Sequence, residues 1–157
     1  MRAQLSLVTV IVLAAVACGG RRATELRTSE YPVGTRWNAS LAAPAAMVGV
    51  VQVGGRAWMA PGADSGETRA SIAIRNAIPG ARYPWHVHRG QCGSPGNVLG
   101  PADAYGVLQV GKNGQASRSV TLPLPMPKDG AYMVDVHASA SNPGTIVSCG
   151  NLAPPVR

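Results

Sequence analysis

Three histidines stand in a chain of 157 residues, and their spacing is the first sign of chemistry. Two form the triplet His86-Val87-His88. On an extended strand, side chains two residues apart point to the same face, so both imidazoles can reach one ion. The third, His137, ends the alternating run Val134-Asp135-Val136-His137. Neighbouring strands lie about 5 Å apart, so two donors from one strand and one from the next make a compact trigonal set. Imidazole suits copper and zinc. Unrelated polar side chains give no reason for all three to fall at strand ends; a shared metal does. The alternation of Asp135 with Val134 and Val136 predicts a carboxylate facing solvent, with the orienting of a histidine as its other role. Met126 and Met133 are soft donors by chemistry, but methionine serves more often as core filler.

The elements that must position these residues are strands. Residues 68–75 alternate apolar and polar side chains with period two, the mark of a half-buried strand. Residues 83–88, 105–110, 115–122, 131–137 and 145–148 read the same way. Another strand is expected to begin at Val48, Val50 and Val51 and to extend through Arg56 and Met59. Ile78-Pro79-Gly80-Ala81 is a turn, and Lys112-Asn113-Gly114 is expected to join 105–110 and 115–122 as a hairpin. No mature segment offers an amphipathic helix, and the chain holds 19 Gly and 13 Pro. Together these features predict an all-β fold, a Greek-key β-sandwich or barrel of about seven to eight strands. Phe is absent, which leaves the core to Val, Ile and Leu, with Trp58 and Trp85 as its large members.

The first residues have another purpose. A single Arg2 precedes an apolar run from Leu5 to Ala17, too short to span a bilayer but of the length of a signal-peptide core. Cys18 follows in Ala15-Val16-Ala17-Cys18-Gly19, which resembles a bacterial lipobox with Ala15 where leucine is usual. The reading is residues 1–18 as a signal peptide ending in a lipidated Cys18, 19–44 as a flexible tether, and 45–154 as the domain. The protein is then exported and anchored to a membrane, facing the periplasm or the cell exterior. Two cysteines remain, Cys92 and Cys149, and in an exported protein they read as one disulfide. The net charge of +7 arises from 14 basic and 7 acidic residues. Arg21, Arg22, Arg27 and Arg36 lie in the tether and the rest are scattered without interleaved aromatics, which disfavours nucleic-acid binding.

At this point the motifs carry a resemblance. Tyr83-Pro84-Trp85-His86-Val87-His88-Arg89-Gly90-Gln91-Cys92-Gly93 resembles the His-Val-His segment of copper/zinc superoxide dismutases, which leads to a disulfide cysteine. Val136-His137-Ala138 is similar to their later Val-His-Ala segment, and Ser148-Cys149-Gly150 to their terminal Ala-Cys-Gly. The resemblance runs from about residue 45 to 153 in matching order. It implies His86, His88 and His137 as copper ligands, and Cys92 paired with Cys149. The departures are as informative. No histidine stands between His88 and His137, so the family's bridging ligand and its zinc site are missing. Ile146 takes the place of the arginine that guides superoxide, leaving Arg82 or Arg89 as substitutes. Three imidazoles suit Cu(I), whereas Cu(II) prefers a tetragonal set, with water in the missing position.

The expected function is therefore an exported copper-binding superoxide-dismutase-like protein. Copper is the expected cofactor, zinc is not, and superoxide dismutation is weak or absent. A second resemblance, to CHRD domains, rests on Asn142-Pro143-Gly144 and Gly150-Asn151-Leu152. It implies a non-catalytic binding module. Copper storage or delivery in the periplasm is the third reading.

Overall fold

Period-two alternation builds the molecule. The computed structural model describes residues 35–50 and 52–155. The leader, Cys18 and most of the proposed tether lie outside the described residues. Among the described residues nine strands follow one another: β1 (Trp37–Leu41), β2 (Gly54–Pro61), β3 (Thr68–Arg75), β4 (Arg82–Gln91), β5 (Ser94–Val98), β6 (Val107–Gln109), β7 (Ala116–Leu122), β8 (Tyr132–Ser139) and β9 (Asn142–Leu152). One sheet has the order β1-β2-β3-β7 and the other β5-β4-β8-β9, with β6 added beside β4. Every pairing is antiparallel. This is the expected all-β sandwich.

The core lies between the sheets. From β3 the inward residues are Thr68, Ala70, Ile72 and Ile74, all buried, as the alternation required. Opposite them stand Tyr83, Trp85 and Val87 from β4 and Val134 and Val136 from β8. Trp85 is fully buried and meets the edge of Tyr105 at 5.1 Å between ring centroids. Trp58 does not join it. On β2 the inward positions belong to Ala57 and Met59, so Trp58 faces outward with the Arg36 guanidinium 4.4 Å above its ring.

Three expectations about elements change. First, the segment 37–41 is a strand rather than tether. Trp37, Ala39 and Leu41 are buried while Asn38 and Ser40 are exposed. The domain therefore begins by residue 37, not 45. Besides pairing along β2, this strand bridges to β9 through Asn38 with Ala153 and Ala42 with Cys149, closing that side of the sandwich. Second, Ala45–Met47 is a short 3-10 turn, and Val48 and Val50 after it are 71% and 78% exposed. The strand expected there starts only at Gly54. Third, β6 and β7 do not pair with each other. The turn between them closes through Gly111 N–H to the Gln115 carbonyl at 2.9 Å, but β6 bonds to β4 and β7 to β3. The chain crosses from one sheet to the other at this corner, because each strand finds its ladder partner in a different layer.

Candidate metal centre

The histidines sit on β4 and β8, adjacent strands at the centre of the second sheet. The register aligns His86 with Asp135, Val87 with Val134 and His88 with Met133. Because side chains alternate, Trp85, Val87, Val134 and Val136 fill the core while His86, His88, Met133, Asp135 and His137 share the outer face. The ladder slips between Val136 and His137, an irregularity at the point where His137 leaves the strand regularity.

That outer face is not open to water. Cys149 on β9 is the cross-strand partner of Asp135, and its disulfide to Cys92 draws the β4–β5 turn over the face. The two Cα atoms are 5.9 Å apart. The Asn151 carboxamide oxygen accepts the Cys92 N–H at 2.8 Å and fixes the same turn. On the other flank, Tyr105 presents its ring to His86, with 5.3 Å between centroids. Its hydroxyl donates to the Leu99 carbonyl at 2.7 Å, and burial pushes its ionisation far up.

Four side chains converge in the space so formed. His86 Nδ1 lies 3.0 Å from His137 Nε2. Asp135 Oδ1 is 3.2 Å from His137 Nε2, and Oδ2 is 3.3 Å from His88 Nε2. One donor atom from each of His86, His88, Asp135 and His137 falls within 4.8 Å of the others. Asp135 is fully buried, His88 and His137 nearly so, and His86 is half-buried on the side that meets solvent.

The sequence expectation for Asp135 is corrected here. Alternation was right about its face and wrong about what lies beyond it, since the disulfide-bound turn covers that face. A visible signal existed: Asp135 stands two residues before His137 on one strand, which is the spacing of His86 and His88. Tyr105 carries no signal of its own in the sequence; Tyr83 and Trp85 face the core, as expected for Trp85. Arg89 offers no guiding cation at the histidines, because its parity turns it away and its guanidinium stacks on Tyr132 at 5.7 Å. Met133 is fully buried on the same face as the histidines, in register with His88.

The electrostatics follow from the contacts. Burial acts against ionisation of Asp135, but the imidazoles of His137 and His88 outweigh it and bring the carboxyl to about 2. The Asp135 carboxylate beside them raises His88 and His137 above the usual 6.5, against desolvation. His86 moves down, first through burial and then through repulsion by His137. The His88 tautomer is settled by chemistry: Nδ1 lies 2.9 Å from the Gly96 carbonyl, which can only accept, so Nδ1 carries the proton. The lone pair of neutral His88 is therefore on Nε2, aimed into the cluster. Such fixing of one ring nitrogen to free the other is the usual support of a metal-bound histidine. His88 Nε2 and both Asp135 oxygens are buried without an aligned hydrogen bond. Buried polar atoms are rarely left so, and a cation at their common centre satisfies all of them. The residues fit a metal ion.

Comparison with known proteins agrees on the architecture. No family model matches the chain, and no curated protein matches it in sequence. Among solved structures, the chain is similar to a superoxide-dismutase-like protein from Bacillus subtilis, crystallised as a double mutant in which a tyrosine and a proline are replaced by histidines. The superposition has a TM-score of 0.54 at 19% identity, covering 74% of this chain and 96% of the other. The fold is thus superoxide-dismutase-like, and on it a His/Asp cluster is arranged as a metal ion would require.

Proposed function

We propose that this protein is an exported copper-binding member of the superoxide-dismutase-like fold, in which His86, His88 and His137 hold copper and superoxide turnover is weak. The observation that carries the reading is the approach of His86 Nδ1, His88 Nε2 and His137 Nε2 around one buried carboxylate, with His88 held in the ligating tautomer by Gly96. Copper would supply one-electron redox chemistry. The chain's own residues bind the ion, keep water from all but the His86 side and set the direction of the lone pairs. Between His88 and His137 no histidine stands in the sequence, so no further imidazole from that stretch relays a proton. The leader and Cys18 fit an anchored protein outside the cytoplasm, where copper and a disulfide are both chemically at home.

The test is metal analysis of the purified full chain, before and after loading with Cu(II) or Zn(II). One copper per chain is expected, and His88→Ala lowers copper affinity more than about 100-fold. The reading is abandoned when neither metal binds tighter than micromolar, or when His88→Ala alters stability alone. Copper binding without consumption of superoxide above the buffer rate removes the catalytic part only. That outcome moves the reading to copper storage or delivery, which the half-open His86 side accommodates.

A further inference from the structure

We propose that Asp135 is the fourth ligand of this centre, and that its carboxylate makes the site select Cu(II) over Cu(I). The inference rests on the three-histidine copper reading and adds to it the one residue that the histidine spacing did not point to.

Four observations meet at this side chain. Asp135 is fully buried, yet none of its neighbours in the cluster is a lysine or arginine; they are three imidazoles. A buried carboxylate without a cationic partner is costly; here that partner is a protonated imidazole in the metal-free protein or a metal ion held among the three rings. Next, neutral His88 presents the Nε2 lone pair, and Asp135 Oδ2 stands 3.3 Å from it. With no proton between them, two electron-rich atoms face each other, and a metal cation beside both removes that repulsion. Third, these contacts lack hydrogen-bond alignment: both carboxylate oxygens and His88 Nε2 are buried with no such partner. A carboxylate that merely oriented the rings would be expected to align with their N–H groups. Finally, the spacing suits coordination. Two donors each about 2.0–2.1 Å from one ion are at most about 4.2 Å apart. Three of the contacts here are 3.0, 3.2 and 3.3 Å, and one donor atom from each residue lies within 4.8 Å of the others.

The consequence is one of charge and hardness. Three neutral imidazoles alone accept Cu(I) readily. Adding a carboxylate brings a full negative charge and a hard oxygen, both of which favour the dication. Asp135 thus occupies the position that water would otherwise take. It comes from the strand that also bears His137, so it needs no additional loop.

The experiment uses the full chain, with affinities for Cu(II) and Cu(I) measured separately by competition with chelators specific for each state. Asp135→Asn, nearly equal in volume, is expected to weaken Cu(II) binding at least about 100-fold and Cu(I) binding less than about fivefold. Equal losses for both ions overturn the proposal and leave Asp135 as a positioning residue; no loss for either overturns it outright. A second measurement does not depend on the variant folding. Wild-type protein grown with 13C-carboxyl aspartate and loaded with Cu(II) is expected to show 13C coupling in pulsed electron paramagnetic resonance. Absence of that coupling while 14N couplings from imidazole persist overturns Asp135 as a ligand yet keeps the histidine site. Absence of copper binding in either state overturns both readings together.

Discussion

At the scale of single residues, the centre is governed by one buried charge. Asp135 raises His88 and His137 above 6.5 and is itself held at about 2, against an ordinary 3.8. The sign of the resulting pH dependence follows from linkage. A histidine raised in the folded state contributes stability below its unfolded value, and that contribution fades as pH rises through the folded value. A carboxyl that is lowered contributes stability above its unfolded value, lost as pH falls toward the folded one. The ion pairs of the metal-free protein are therefore at full strength between 3.8 and 6.5. His86, moved down, works against folding as pH falls below 6.5. Comparing wild type with Asp135→Asn isolates the carboxylate. The wild-type advantage in thermal midpoint, measured without metal, is expected to be larger at about pH 5.5 than at pH 8. An advantage that grows with pH contradicts these assignments. With metal bound the slope reverses, because protons compete for His88 Nε2 and His137 Nε2, and copper is expected to leave as the solution is acidified. Tyr105→Phe removes the hydrogen bond to the Leu99 carbonyl. A loss of about 1–2 kcal/mol is expected in denaturant titrations, since the carbonyl is left buried without its donor.

At the scale of elements, the site depends on a hairpin with little reason of its own to form. The β5 segment, Ser94-Pro95-Gly96-Asn97-Val98, is largely exposed and carries no apolar alternation. It pairs with β4 from His88 to Gln91, and the disulfide between Cys92 and Cys149 ties its turn to β9. Gly96 then offers the carbonyl that sets the His88 tautomer. The disulfide closes a separation of 57 residues. Loss of such a closure costs about 4 kcal/mol on the chain-entropy account. Cys92→Ala with Cys149→Ala is expected to show that loss by denaturant unfolding. Copper affinity of the still-folded fraction is also expected to fall by about 10–100-fold, the usual effect of freeing a ligand from its support. Unchanged copper affinity in the folded double variant means that β4 alone holds His88.

At the scale of the whole molecule, β1 closes the sandwich against β9, and this closure has a steric gate. A Cβ at Gly150 would collide with the Ser40 carbonyl of β1. That backbone cannot yield without breaking the neighbouring bridge of Ala42 to Cys149, whose two hydrogen bonds are 3.0 and 2.9 Å long. Gly150→Ala is therefore expected to destabilise the fold by about 2–3 kcal/mol, as other backbone-displacing insertions do. Through Cys149 the strain reaches the cross-strand partner Asp135, so hydrogen exchange in β1 and copper binding are expected to change together. A variant with wild-type stability shows that β1 can shift without cost.

What was legible in the sequence is what alternation carries. The period-two run of β3, the same-face histidines of β4 and the apolar Val134 and Val136 of β8 need only local geometry to be read. The all-β class followed from them, and the cysteine pair from simple redox reasoning. β1 carries a short alternation of its own, but Ala, Pro and polar neighbours masked it, and only pairing to β2 and β9 reveals its place. The β5 hairpin has no local pattern at all. Asp135 shows the division most clearly. Its face was determined by its position two residues before His137, since parity is a property of the strand itself. Whether that face met water or a covered cluster depended on a turn held by a disulfide whose two cysteines are 57 residues apart along the chain. Burial is a property of everything packed above a residue, and no reading of neighbours in sequence supplies that. The tertiary structure alone turned a carboxylate expected in solvent into the centre of the site.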